Sequence, residues 1–134
     1  MRFARIVFRI AGVWGILVLT PLFFLADEIN RRFPPPITHP QYFYGFVALA
    51  WVFQLVFFVI AADPVRYRAL IVPAILEKAG WVLTCFVLML RGGITSGEAS
   101  GAAADLLLGI LFIRAFFTTR TKSSSELAQT ARPI

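Results

Sequence analysis

The sequence predicts an all-α protein, an integral membrane four-helix bundle with its N- and C-termini cytoplasmic. Three observations carry this. The 134-residue chain is 59% hydrophobic with a mean hydropathy of +0.79, above the roughly 45–50% apolar usage of soluble domains. A chain this short has too little interior to hide so much apolar surface from water. Four runs, residues 6–25, 43–62, 69–90 and 102–118, meet or approach the about 20 mostly apolar residues that cross a bilayer as a helix. The net charge of +6 is carried by cations that flank these runs instead of forming one stripe. That placement suits lipid headgroups and excludes nucleic acid as a partner, since no basic–aromatic module is visible.

The first run follows Arg2, Arg5 and Arg9, the layout of a secretory signal. Its apolar stretch is longer than a signal core, and bulky Phe24 stands where cleavage after Ala26 needs a small residue, so an uncleaved helix is expected. The connection over residues 27–42 contains Pro34, Pro35 and Pro36, which block helix and favour polyproline II, and predicts a stiff connector. Tyr42, Phe43 and Tyr44 then mark a membrane interface. His39 has no second His or Cys nearby in sequence, so a loop histidine bonded to its neighbours is expected and not a metal ligand. The third run follows DPVRYR and has Pro73 in its first turns, where a kink is expected. The fourth is short, but the small residues at 99–104 can extend it. Residues 1–118 form the transmembrane domain, and the polar tail 119–134 is expected to be disordered and cytoplasmic.

Orientation follows from the basic residues. With the N-terminus inside, Arg2, Arg5, Arg9, Arg66, Arg68, Arg114, Arg120, Lys122 and Arg132 are cytoplasmic. Arg31, Arg32 and Arg91 lie outside, offset by Asp27, Glu28 and Glu98. Cys85 is alone, within an apolar run, and is expected to be an inert packing residue.

Charge inside the apolar runs points to a site. Glu77 lies eight residues into the third span, roughly 12 Å deep, where an isolated ion costs at least about 2.5–3.5 kcal/mol. Residues three, four and seven apart share a helix face, so Glu77 lies with Pro73, Ala74, Gly80, Trp81 and Thr84. Small and polar residues of this kind mark helix–helix contact in membranes, and Glu77 is expected to face inward. Lys78, rotated about 100° away, can snorkel towards the cytoplasmic headgroups or reach Glu77 or a neighbour from the adjacent stripe, and is expected to lie towards the cytoplasmic surface. Partners for Glu77 are sought in Arg9 on the first span and Gln54 on the second, forming a polar layer in the cytoplasmic half. Trp51 shares a face with Gln54, and Trp81 with Glu77. Two indoles beside an amide and a carboxylate suit either a lipophilic pocket or packing with each N–H bonded to a neighbouring helix. Asp105 lies one turn into the fourth span and reads either as a capping carboxylate or as an inward partner for a ligand or proton. Arg114 lies on the opposite face and is expected to snorkel. The candidate binding set is therefore Glu77, Trp81, Trp51, Gln54, Arg9 and Asp105.

Together PPPITHPQYFYGF, DPVRYR and PAILEK resemble a group of small, functionally uncharacterised bacterial membrane proteins over about residues 1–118. The architecture is similar to the DoxX-like four-helix membrane proteins, and more distantly to the sterol-isomerase and sigma-2-type fold. The resemblance implies a bundle in a bacterial inner membrane. In the more distant group, intramembrane acids and tryptophans surround a lipophilic ligand, which implies such parts for Glu77, Asp105, Trp51 and Trp81.

No catalytic constellation, metal set or nucleotide loop is present in the sequence, so no cofactor and no catalytic residue is expected. The leading expectation is a lipophilic-ligand binder or accessory subunit. Its expected partners are membrane lipids, a lipophilic small molecule, and a larger membrane complex or further copies of the chain. The alternatives are a membrane-embedded enzyme acting on a lipid, quinone or sterol-like substrate with Glu77 or Asp105 as acid/base, and a proton-coupled small transporter.

Overall fold

Helix is the only regular structure in the computed structural model, which describes residues 1–33 and 36–130. Four helices are long and apolar enough to cross a membrane: Arg2–Phe23, Pro40–Ala62, Arg68–Leu90 and Gly101–Thr119. They match the four apolar runs within a few residues, as apolar length alone sets the span.

The first helix, α1 (Arg2–Leu19), tightens into a 3-10 turn at Thr20–Phe23, where Pro21 has no N–H to leave unbonded. A short helix, α2 (Ala26–Arg32), follows, where a stiff connector was expected to begin. Its acids Asp27 and Glu28 sit at the N-terminal end and Arg31 and Arg32 at the C-terminal end, complementing the helix dipole. Glu28 pairs with Arg31 at 2.6 Å and also with Arg32. Asn30 Oδ1 accepts the Ile37 N–H at 2.6 Å and ties α2 to the loop. The polyproline expectation falls partly on Pro34 and Pro35, which lie outside the described residues. His39 Nδ1 lies 2.9 Å from Thr38 Oγ1.

Helix α3 (Pro40–Ala62) begins on Pro40, whose fixed φ suits a first turn. The DPVRYR link turns because Asp63 Oδ1 accepts the N–H groups of Val65 and Arg66 at 3.2 and 3.1 Å, an Asx-type turn. Helix α4 (Arg68–Leu90) contains Pro73 and ends on a left-handed Gly92 with φ 69°. There Gly93 N–H bonds Leu88 O and Gly92 N–H bonds Met89 O, the paired bonds of a Schellman stop. After the single turn α5 (Ser96–Ala99), α6 runs Gly101–Thr130. Its backbone stays helical past Thr119, because loss of hydropathy ends a membrane span without ending a helix when Glu, Leu, Ala and Gln follow. The rest of the expected tail, residues 131–134, lies outside the described residues.

The helices pack unevenly. The α1 helix lies along α3 and α4 along α6; α1 against α6 joins the two pairs, while α3 and α4 touch only sparsely. The core gathers at the end that carries the N-terminus and the α3–α4 link. There Phe8 stacks on Phe112 at 4.3 Å, and Phe57 meets Phe112 edge-on at 5.1 Å. Ala4, Ala11, Ile60, Ile71, Ala74 and Ala115 close around these rings. Arg68 seals the same end, its Nε donating to Phe116 O at 3.3 Å and its guanidinium lying 3.7 Å from the Phe116 ring centre. Cys85 is buried. Leu17, Leu83, Leu90, Leu107 and Ile110 face outward, an apolar rim suited to lipid.

Candidate functional site

The bundle opens at its other end. With α3 and α4 barely touching and Gly15, Ala50, Gly80, Gly101 and Ala104 presenting little side chain, the four helices leave a cavity of about 670 Å³. That lies within the roughly 300–1,000 Å³ of small-molecule sites. Its walls are Trp14 and Val18 from α1, Leu22 from the 3-10 turn, Phe46 and Phe53 from α3, Trp81 and Leu76 from α4, and Leu108 from α6. Phe46 and Trp81 stack at 5.2 Å and bridge α3 and α4 where backbone contact is sparse.

Charge gathers where the cavity meets the packed core. Lys78, only 6% exposed, turns inward. Its Nζ lies 3.0 Å from Asp105 Oδ1 and 3.1 Å from Glu77 Oε2, and donates to Glu77 Oε1 at 3.3 Å. It also stands 5.4 Å from the centre of the Phe57 ring, within cation–π range. One ammonium thus holds two carboxylates and caps the aromatic core. Neither acid is deeply buried; their side chains are 24% and 20% exposed, on the cavity side of the ammonium.

Snorkelling of Lys78 is therefore corrected. The helix α4 stands at a corner of the bundle, so residues 100° apart border the same interior. Glu77 borders the cavity, while the Lys78 stem lies on α6, its Cβ near Gly109. Gly109 and Asp105 are one turn apart, and together they form a groove with an acid at its end. That spacing was the signal that could have located Lys78.

Gln54 is 1% exposed and lines the cavity. Its Nε2 donates to Ala50 O at 2.8 Å, which fixes the amide orientation, since the oxygen cannot donate there. Its Oε1 has no hydrogen-bond partner and lies against Gly15, where any Cβ would overlap the amide. Gly15 is what admits Gln54 to the α1–α3 interface.

The structure brings together Glu77, Gln54, Trp81 and Asp105 on one cavity. It does not bring in Arg9 or Trp51. Arg9 is exposed, because α1 buries Ala4, Phe8, Ala11 and Gly12; the larger apolar side chain at the adjacent position takes the inward direction. Trp51 turns to α1, its Nε1 donating to Thr20 Oγ1 at 3.0 Å. The polar layer accordingly draws on the middle of α4 (Glu77, Lys78), the interior of α3 (Gln54) and the first turns of α6 (Asp105). Arg114 is exposed, its guanidinium 4.8 Å from the Phe3 ring centre. Trp14, Gly15, Phe46 and Lys78 join the site without having been expected there.

No protein-family model matches the chain, and no curated protein or solved structure matches it. What the protein does has to be argued from this cavity.

Proposed function

We propose that the protein is a lipophilic-ligand binder of the bacterial cytoplasmic membrane, DoxX-like in architecture, with both termini cytoplasmic. The observation that carries this is the 670 Å³ cavity with apolar walls and a charged end formed by Lys78, Glu77 and Asp105. Apolar walls take up an apolar body, and a small convergent polar group fixes its orientation. The sparse α3–α4 contact supports entry from the bilayer. The orientation is supported by the pairing of Arg31 and Arg32 with Glu28, which offsets cations on the far side, while Arg2, Arg5, Arg66 and Arg68 crowd the terminal end.

The test is mass spectrometry of small molecules retained through mild purification, comparing wild type with Gly80→Phe and Glu77→Gln. Gly80 lines the cavity and a Cβ there meets nothing within 4 Å, so Gly80→Phe adds a ring that starts in open space and is expected to narrow the site. A defined lipophilic compound in wild type that Gly80→Phe lacks supports binding. The same phospholipid mixture in all three proteins contradicts it. A chemically altered product that disappears in Glu77→Gln moves the reading to the enzymatic alternative.

A further inference from the structure

Hydrogen bonding at the charged end of the cavity is lopsided. Lys78 has three N–H donors; Nζ donates to Glu77 Oε1 at 3.3 Å and lies within ion-pair reach of Glu77 Oε2 and Asp105 Oδ1 at 3.1 and 3.0 Å. Two ionised carboxylates together offer about eight lone-pair sites, so acceptors outnumber donors. The shortfall is visible atom by atom. Glu77 Oε2, although within ion-pair reach of Lys78, has no hydrogen bond, and neither has Gln54 Oε1. Both side chains line the cavity, and Gln54 is 1% exposed. Both orphaned atoms are acceptors. Two carboxylates against one ammonium also leave the cluster formally at −1.

We infer that the ligand carries a hydrogen-bond-donating head without negative charge, a hydroxyl or a protonated amine, on an apolar body. The inference rests on the cavity being a binding site. A donor head bonds the part-exposed carboxylates of Glu77 and Asp105 on the cavity side of the ammonium, where acceptors are in surplus and unmade bonds are lost on burial. An acceptor-only head, such as an ether, ester or quinone carbonyl, leaves them orphaned, and an anionic head meets a cluster that is already negative. Sites built to hydrogen-bond a donor discriminate strongly against analogues that lack it. Trp14, Trp81 and Phe46 extend the site with aromatic faces, which suit the apolar body and favour a cation where the head is an amine.

The experiment compares four twelve-carbon probes on wild-type protein in zwitterionic nanodiscs: dodecan-1-ol, dodecylamine, dodecyl methyl ether and dodecanoate. Native mass spectrometry reads occupancy, corrected for partitioning into protein-free discs. The alcohol and the amine are expected to bind at least about tenfold more tightly than the ether and the carboxylate, the loss that goes with an unmade buried hydrogen bond. Asp105→Asn, which removes one of the two carboxylates at the charged end, is expected to narrow the gap between amine and ether. The amine ranking above the alcohol assigns the head as a cation, and the reverse assigns it as a hydroxyl. Equal binding of ether or carboxylate overturns the donor inference while leaving the cavity a binding site. Failure of all four to bind above the Gly80→Phe background overturns the binding reading itself.

Discussion

The two halves of the bundle are built from the same four helices and differ in what fills the centre. At the terminal end Phe8, Phe57 and Phe112 occupy it and alanines close around them. At the far end small residues stand where rings would be, and 670 Å³ stays open. Lys78 marks the boundary, with Phe57 on one side and Glu77 and Asp105 on the other. Packing supplies association between helices in lipid, where burial brings no transfer from water. The packed half therefore holds the molecule together, and the open half is free to carry a site.

Substitutions that cross this boundary test the contrast. The largest effect is expected for Lys78→Met, which leaves two carboxylates facing each other without a cation, a loss of about 3–5 kcal/mol by analogy with broken buried pairs. Glu77→Gln keeps the Lys78–Asp105 pair and is expected to cost much less; unfolding free energies in mixed micelles give the ratio. Equal losses would mean that Lys78 is not shared. Next, Phe112→Ala in the packed half is expected to cost about 2–3 kcal/mol from the cavity created, whereas Phe46→Ala, at a ring already 45% exposed, is expected to cost about 1 kcal/mol or less. A methyl group gives the same contrast on a smaller scale. Gly15→Ala overlaps the Gln54 amide and is expected to destabilise by about 1–3 kcal/mol. Gly80→Ala meets open space and is expected to stabilise slightly, by about 0.5–1 kcal/mol through helix propensity. An effect of similar size is expected for Thr20→Val, which removes the Trp51 indole bond and about 0.5–1.5 kcal/mol; Trp51 fluorescence is expected to shift with it.

Much of the frame is legible in the residues because hydropathy acts over whole spans. Four apolar runs become four helices, and Glu77 lies among small and polar face-mates that border the interior. What the pattern leaves open depends on neighbours. Lys78 has a stem long enough to reach the headgroups, and only the Asp105–Gly109 groove on α6 decides that it turns inward. Arg9 and Phe8 are adjacent, and their competition for the α1 interface is settled by Phe112 and Phe57, which no local period reveals. Trp51 and Trp81 look alike by composition, yet one finds Thr20 and the other finds Phe46. The short α2 was missed because the three prolines that follow dominate the pattern, although its acids and arginines are ordered as a helix dipole prefers.

Lys78 lies inside the bundle between two acids. The chain has two lysines, Lys78 and Lys122, so Lys122→Arg leaves a single ammonium nitrogen to label. Solid-state NMR recoupling between that nitrogen and aspartate carboxylate carbons in lipid bilayers then reads the contact directly. Strong recoupling to the Asp105 carboxylate carbon, as an Nζ to Oδ1 separation of 3.0 Å requires, and its loss in Asp105→Asn are the predicted result. A lysine without any carboxylate within about 4 Å, and with relaxation typical of the headgroup region, would contradict it.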